Sequence, residues 1–269
     1  MLAKRVISAA IIFLAFVLVT FWGGWFFTIS ISVVLAIGAW EFWHIFQQGG
    51  YIPNPFILIA GSFLLPISRS MDNDQYAILC LSILIMLAAF AAVIDYEKGK
   101  QNASISFIIT IGGLVYIGLL GSNLVALRFL PDGLHWVLLI IPAVAMGDIS
   151  AYFIGNAFGT HKIAPHVSPG KSIEGYFGGV AAASLYGLLY GNFIHLYTAP
   201  ITLLNGAVSG FLLGSISPMG DLVESMIKRQ FKLKDSSNLI PGHGGILDRI
   251  DTSLIGATIS YMLIKILWC

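Results

Sequence analysis

The sequence predicts an all-α, polytopic membrane protein with about nine transmembrane helices, and its apolar composition, its span-length apolar runs and the placement of its cations carry that prediction. Of the 269 residues, 57% are hydrophobic and only 10% are charged, against about 25% charged in an ordinary soluble domain. Mean hydropathy is +0.87, so a water-soluble fold of this chain would expose far too much apolar surface. Apolar runs recur along the chain at the length of about 20 residues that a helix needs to cross a bilayer. Finally, the cations fall on alternate loops, as the positive-inside rule requires of a multi-pass chain.

Taken in order, the expected spans lie near residues 6–22, 25–46, 55–68, 75–94, 105–129, 134–158, 174–197, 201–227 and 250–268. The first follows Lys4 and Arg5 as a signal peptide would. No small-residue cleavage site comes after it and further spans do, so it reads as a retained helix. The third is short and contains Pro66. With the N-terminus in the cytoplasm, all but three of the 14 Lys and Arg face that side, the exceptions being Arg69, Arg128 and Lys265. That asymmetry supports an odd number of spans. Residues 1–130 form a scaffold of N-terminal helices in this reading, and residues 131–269 carry the chemistry.

Two cysteines, Cys80 and Cys269, give neither a disulfide framework nor metal-ligand spacing. No nucleic-acid partner is expected; the bilayer is. Gly206, Gly210 and Gly214 form one stripe of small residues, and Ala183, Gly187 and Gly191 another. Such stripes let helix backbones approach closely. Internal packing is the simpler reading of them, and a homodimer seam stays open.

Polar residues concentrate in and beside two long inside loops, about Gly159 to Lys171 and Lys228 to Arg249. Long irregular loops in a compact protein are usually functional or disordered. Asp148, Glu174, Asp221, Glu224, Asp248 and Asp251 sit in or at the ends of spans. A carboxylate in hydrocarbon costs several kcal/mol and so faces a cavity or a partner. Asp221 and Glu224 are three apart, as are Asp248 and Asp251, so each pair shares a helical face, and Lys228 continues the first face. Oxygen-only ligands suit Mg²⁺, which binds through carboxylates and substrate phosphates. The bland reading, ion pairs with Arg229 and Arg249, suits any single acid better than the whole cluster.

The stretch from Ser225 to Asp251 holds five cations in all, together with a histidine and the glycines Gly242, Gly244 and Gly245. Lys and Arg hold phosphate oxygens, and glycines let backbone N–H groups turn toward an anion. A basic loop touching anionic lipid explains the lysines but not the acids, histidine and glycines. Upstream, Ser168, Pro169, Gly170 and Lys171 precede a helix whose first turn holds Glu174, and a helix N-terminus favours anions. The spacing is not that of a Walker P-loop. Ser172 reads equally as a helix cap or a ligand contact. His161 and His166 read as solvated loop residues.

These motifs resemble the bacterial phosphatidate cytidylyltransferase, or CDP-diacylglycerol synthase, family. Ser225, Lys228–Arg229, Lys234–Asp235, His243–Gly244–Gly245 and Asp248–Arg249–Asp251 match its C-terminal signature at the family's spacing. Asp148, Ala151–Tyr152–Gly155, Ser168–Pro169–Lys171 and Glu174–Gly175 match its upstream pattern. The likeness is strongest over residues 140–265, and Ile149 and Asn156 depart from it.

The resemblance implies conversion of CTP and phosphatidic acid to CDP-diacylglycerol and pyrophosphate, at the cytoplasmic face of a bacterial inner membrane. It implies Mg²⁺ held by Asp221, Asp248 and Asp251, with a second, monovalent cation such as K⁺ beside it. Lys228, Arg229, Lys234 and Arg249 are then expected to neutralise phosphate charge. His243, Gly244 and Gly245 are expected to shape the nucleotide site, and Ser168, Lys171, Ser225 and Asp148 to contact substrate. Two other classes stay open on the residues alone: a transporter, since intramembrane acids also mark ion pathways, and a CTP-dependent lipid kinase.

Overall fold

The computed structural model describes residues 2–71, 74–196, 201–240 and 244–267, with side chains from Ile11 onward. His243, Gly242 and Cys269 therefore lie outside the described residues. The helices are α1 (Leu2–Trp22), α2 (Gly24–Gln48), α3 (Pro55–Arg69), α4 (Asp74–Glu97), α5 (Ala103–Gly113) and α6 (Leu120–Phe129) in the N-terminal half. A π-helical stretch, Leu114–Leu119, joins α5 to α6 in one continuous rod. Then come α7 (Gly133–Phe158), the strands β1 (Lys162–Ala164) and β2 (Ser168–Ser172), α8 (Ile173–Ile194), α9 (Leu203–Ile216), α10 (Pro218–Gln230) and α11 (Leu247–Leu267).

Among the described residues, seven stretches are long and apolar enough to cross a membrane: Gly24–Gln48, Asp74–Glu97, Ala103–Phe129, Gly133–Phe158, Ile173–Ile194, Leu203–Gln230 and Leu247–Leu267. The other two expected spans are apolar but shorter there, as Ile11–Trp22 and Pro55–Arg69. The molecule is thus an all-α multi-pass membrane protein, and seven of the nine expected spans meet the length of a crossing helix.

The chain divides into two compact units, one of residues Met1–Phe129 with Gln230–Ile250 and one of Leu130–Arg229 with Asp251–Cys269. In the first, α3 packs on α2 and α4 around Phe27, Leu35, Ile45, Leu58, Leu65 and Leu114, all nearly or wholly buried. Asn54 caps α3, its Oδ1 accepting from Ile57 N at 3.1 Å, and Pro55 follows as the first helical residue. Proline suits that position because its missing N–H would have no helical partner there.

In the second unit α8 packs between α7 and α9. The two small-residue stripes meet each other: a Cβ on Gly187 would lie 2.1 Å from Gly206 O, and one on Gly210 would lie 2.2 Å from Ala183 O. These glycines therefore serve internal packing, with the α8 and α9 backbones in direct contact. The expected span at 201–227 breaks at Ser217, between α9 and α10. Pro218 opens α10, because it cannot donate the N–H that would continue α9. The loop from Gly159 to Lys171 is not irregular: β1 and β2 pair antiparallel, with Lys162 opposite Ser172 and Ala164 opposite Ser168.

Candidate active site

Helix α10 places Asp221, Glu224 and Lys228 on one face by their three- and four-residue spacing. Glu224 is 1% exposed and Lys228 7%, and Lys228 Nζ lies 2.5 Å from Glu224 Oε2. Asp221 Oδ1 accepts from Ser225 Oγ at 3.0 Å. Its Oδ2 lies 2.8 Å from Lys171 Nζ, which also donates to Pro218 O at 3.4 Å. From α11 comes Asp251, 6% exposed, whose Oδ1 accepts from Thr252 N at 2.8 Å. Asp221, Glu224 and Asp251 each offer a carboxylate oxygen within 4.8 Å of the others. Gly220 makes that convergence feasible, since a Cβ there would lie 2.1 Å from Asp251 O.

The hairpin supports the same unit. Ser172 caps α8, its Oγ accepting from Gly175 N at 3.2 Å, so the cap reading of this residue holds. Glu174 ties the hairpin down: it accepts from Thr160 Oγ1 at 2.7 Å and from His161 N at 3.2 Å, and lies 2.7 Å from His161 Nδ1. Asp148 accepts from Thr252 Oγ1 at 3.2 Å, beside Asp251 in the chain. Arg229 is exposed, and its Nε donates to Val167 O at 3.4 Å, one residue before Ser168.

Asp248 and the glycine-rich segment belong to the first unit. Asp248 Oδ2 accepts from Ser236 N at 2.9 Å, Ser236 Oγ at 2.9 Å and Gly245 N at 2.8 Å. Asp248 is thus engaged with its own loop, while the group of three carboxylates contains Glu224 beside the expected Asp221 and Asp251. Gly244 adopts φ +80°, in the left-handed region that favours glycine. Lys234, with Trp40, His44, Ser237 and Asn238, lines an open cavity of about 460 Å³ in this unit. Arg249 is exposed on the first turn of α11.

Two acids hold places in the structure that the sequence motifs do not assign them. Glu224 was visible as the partner of Asp221 at three-residue spacing but carried no assigned role. Glu41 gives one signal in the sequence, a lone carboxylate inside an apolar span. It is fully buried in α2 and accepts from Ser236 Oγ, Ser237 Oγ, Ile246 N and Leu247 N.

Chemically, the second unit offers three convergent carboxylates with lysines on two of them. An all-oxygen donor set of this kind fits a hard divalent cation, and the neighbouring ammonium groups suit phosphate oxygens. The chain is 35% identical to the phosphatidate cytidylyltransferase of Pseudomonas aeruginosa over 260 residues, covering 94% of this chain and 93% of that one. It is 31% identical to the Synechocystis protein of the same name, covering 98% and 97%, and 33% identical to that of Haemophilus influenzae, covering 94% of each. The profile of the cytidylyltransferase family matches residues 3–267, nearly the whole chain, so the chain belongs to that family.

Proposed function

We propose that the chain is a phosphatidate cytidylyltransferase: it joins CTP to phosphatidic acid, forming CDP-diacylglycerol and pyrophosphate, in phospholipid biosynthesis. A phosphate oxygen of the lipid attacks the α-phosphorus of CTP, and the bond from that phosphorus to the bridging oxygen of the β-phosphate breaks. The lipid phosphate is already a nucleophile, so the site needs no strong base. Positioning and charge stabilisation do most of the work in such transfers. The observation that carries this reading is the convergence of Asp221, Glu224 and Asp251 within 4.8 Å, with Lys171 and Lys228 on two of them.

Asp221, Glu224 and Asp251 would hold Mg²⁺, which when bound supplies positive charge to the triphosphate oxygens. Asp248 and a monovalent companion such as K⁺ remain part of the proposal on family resemblance. Lys171, Lys228 and Arg229 neutralise phosphate oxygens and orient the two polyanions for in-line attack. Ser225 holds Asp221 through one oxygen, leaving the other toward Lys171. The cation asymmetry favours a site facing the cytoplasm of a bacterial inner membrane.

The test is purified protein with Mg²⁺, phosphatidic acid and CTP labelled at the α- or γ-phosphate. Label from the α position alone should enter the lipid. Transfer of the γ label to a lipid alcohol would instead make the protein a kinase, and no lipid label in either case removes the reading. Orientation is read separately: a cysteine at the exposed Lys98 should resist an impermeant thiol reagent in intact cells.

A further inference from the structure

We propose that Glu41 is a positioning residue for this reaction: from inside α2 it holds Ser236, Ser237 and the first turn of α11, and so fixes the backbone that carries Lys234, Asp248 and Arg249. The effect on turnover rests on the cytidylyltransferase reading; the anchoring rests on geometry within the first unit.

Glu41 is 0% exposed in a helix otherwise apolar enough to cross a membrane. A carboxylate there is costly without donors. Among the described residues, its donors come from a stretch about two hundred residues away in sequence. Ser237 Oγ donates to Oε1 at 2.5 Å and Ile246 N at 3.0 Å, while Leu247 N reaches Oε2 at 2.6 Å. The last two are N–H groups at the start of α11, which have no partner inside the helix. Glu41 therefore caps α11 from another helix, and its negative charge suits the positive end of the helix dipole.

The coupling to Asp248 runs through one hydroxyl. Ser236 Oγ lies 3.1 Å from Glu41 Oε2 and 2.9 Å from Asp248 Oδ2. It has a single hydrogen, so it donates to one carboxylate at a time. Asp248 keeps two backbone donors of the same loop, Ser236 N and Gly245 N. The glycine at 245 follows from this arrangement. A Cβ there would lie 2.0 Å from Ser236 Oγ and 2.5 Å from Glu41 Oε1, so a side chain would press on the hydroxyl and the carboxylate together.

A simple docking role is already filled by other contacts. Phe231 packs edge-on against Phe46 at 5.1 Å and against Tyr51 at 6.4 Å. Removing the Glu41 charge should therefore leave the loop attached but its far end unfixed.

The experiment compares wild type with Glu41→Gln, Glu41→Asp and Gly245→Ala in neutral detergent, normalised to folded protein. Glu41→Gln keeps the size but turns a donor toward N–H and O–H groups. It should lower kcat/KM for CTP by about tenfold to a hundredfold, the effect of losing one charge-assisted hydrogen bond. Glu41→Asp should recover part of that loss. Hydrogen exchange should quicken across residues 234–250 and stay slow in α2 and α3. Unchanged kinetics and exchange in Glu41→Gln would overturn the proposal. So would exchange that quickens equally throughout the first unit, which marks general destabilisation. If Glu41→Gln does not fold, Gly245→Ala decides from the loop side: it should show the same confined exchange and loss of turnover, and wild-type behaviour there overturns the proposal. A wild-type protein that transfers no cytidylyl group sinks the enzymatic reading; confined exchange would then still establish the anchor.

Discussion

The two units each bury carboxylates, but they stabilise them by different means. In the first unit Glu41 and Asp248 are met by backbone N–H groups and serine hydroxyls. In the second, Asp221 and Glu224 are met by the ammonium groups of Lys171 and Lys228. Backbone donors fix a chain segment, because they cannot leave without unfolding it. Lysine side chains are flexible and can yield to a metal ion or follow a phosphate. On the proposed function, that difference would separate Glu41 and Asp248, which shape a loop, from Asp221 and Glu224, which can yield to a ligand. Asp251 stands between them, since it accepts from Thr252 N yet converges with Asp221 and Glu224.

The largest expected effect comes from the acids paired with lysine. Asp221→Asn removes a charge with little change in size. Turnover should fall more than about a hundredfold, beyond the ten- to hundredfold typical of losing an outer contact to a metal ligand. Folded yield should hold, and raised Mg²⁺ should restore part of the activity. Near wild-type turnover at ordinary Mg²⁺ would leave Asp221 as merely the partner of Lys171.

Next in size is Arg229→Ala. Arg229 is exposed, and its Nε donates to Val167 O at 3.4 Å. If it holds a phosphate, kcat/KM for CTP drops by roughly ten- to a hundredfold, the loss of one charged hydrogen bond. Arg229→Lys should remain impaired, since lysine lacks the planar fork. A structural Arg229 would cost folded protein and leave the specific activity of the remainder intact.

The comparison also shows what could be read from the sequence and what could not. The helices were legible because a bilayer demands about 20 apolar residues in a row. The break between α9 and α10 was not, because hydropathy runs across Ser217 and Pro218, although the proline was there to be read. Asp221 and Asp251 were found through their spacing to other acids. Asp248 has the same spacing to Asp251 as Asp221 has to Glu224, so the pattern alone could not show that its Oδ2 is engaged with Ser236 and Gly245. Glu41 gave one signal, a lone acid in an apolar span, and its partners lie too far along the chain for any local pattern to reveal.

A smaller effect, on stability, tests the closeness of α10 to α11 in the second unit. A methyl group on Gly220 would sit 2.1 Å from Asp251 O and 3.0 Å from Thr252 Cα. Both neighbours are backbone, so a helix must shift, and overpacking of this kind costs about 1–3 kcal/mol. Gly220→Ala should lower the melting temperature and loosen the three-acid group, raising the Mg²⁺ needed for half-maximal activity. An unchanged melting temperature would mean that the helices part easily.

The smallest effect should separate two adjacent residues, Lys171 and Ser172. Lys171 pairs with Asp221; Ser172, 3% exposed, caps α8 through Gly175 N. Replacing a serine cap by alanine costs typically ~1 kcal/mol, with no change in charge near the acids. Ser172→Ala should therefore lower the melting temperature slightly and leave kcat/KM within about twofold of wild type, since 1.4 kcal/mol is needed for a tenfold change. Lys171→Ala should do the reverse, with stability nearly kept and turnover lost. If Ser172→Ala proves as inactive as Lys171→Ala while still folded, the serine hydroxyl touches substrate, and the division between acids and donors that shape the site and those that serve it would fail at its finest point.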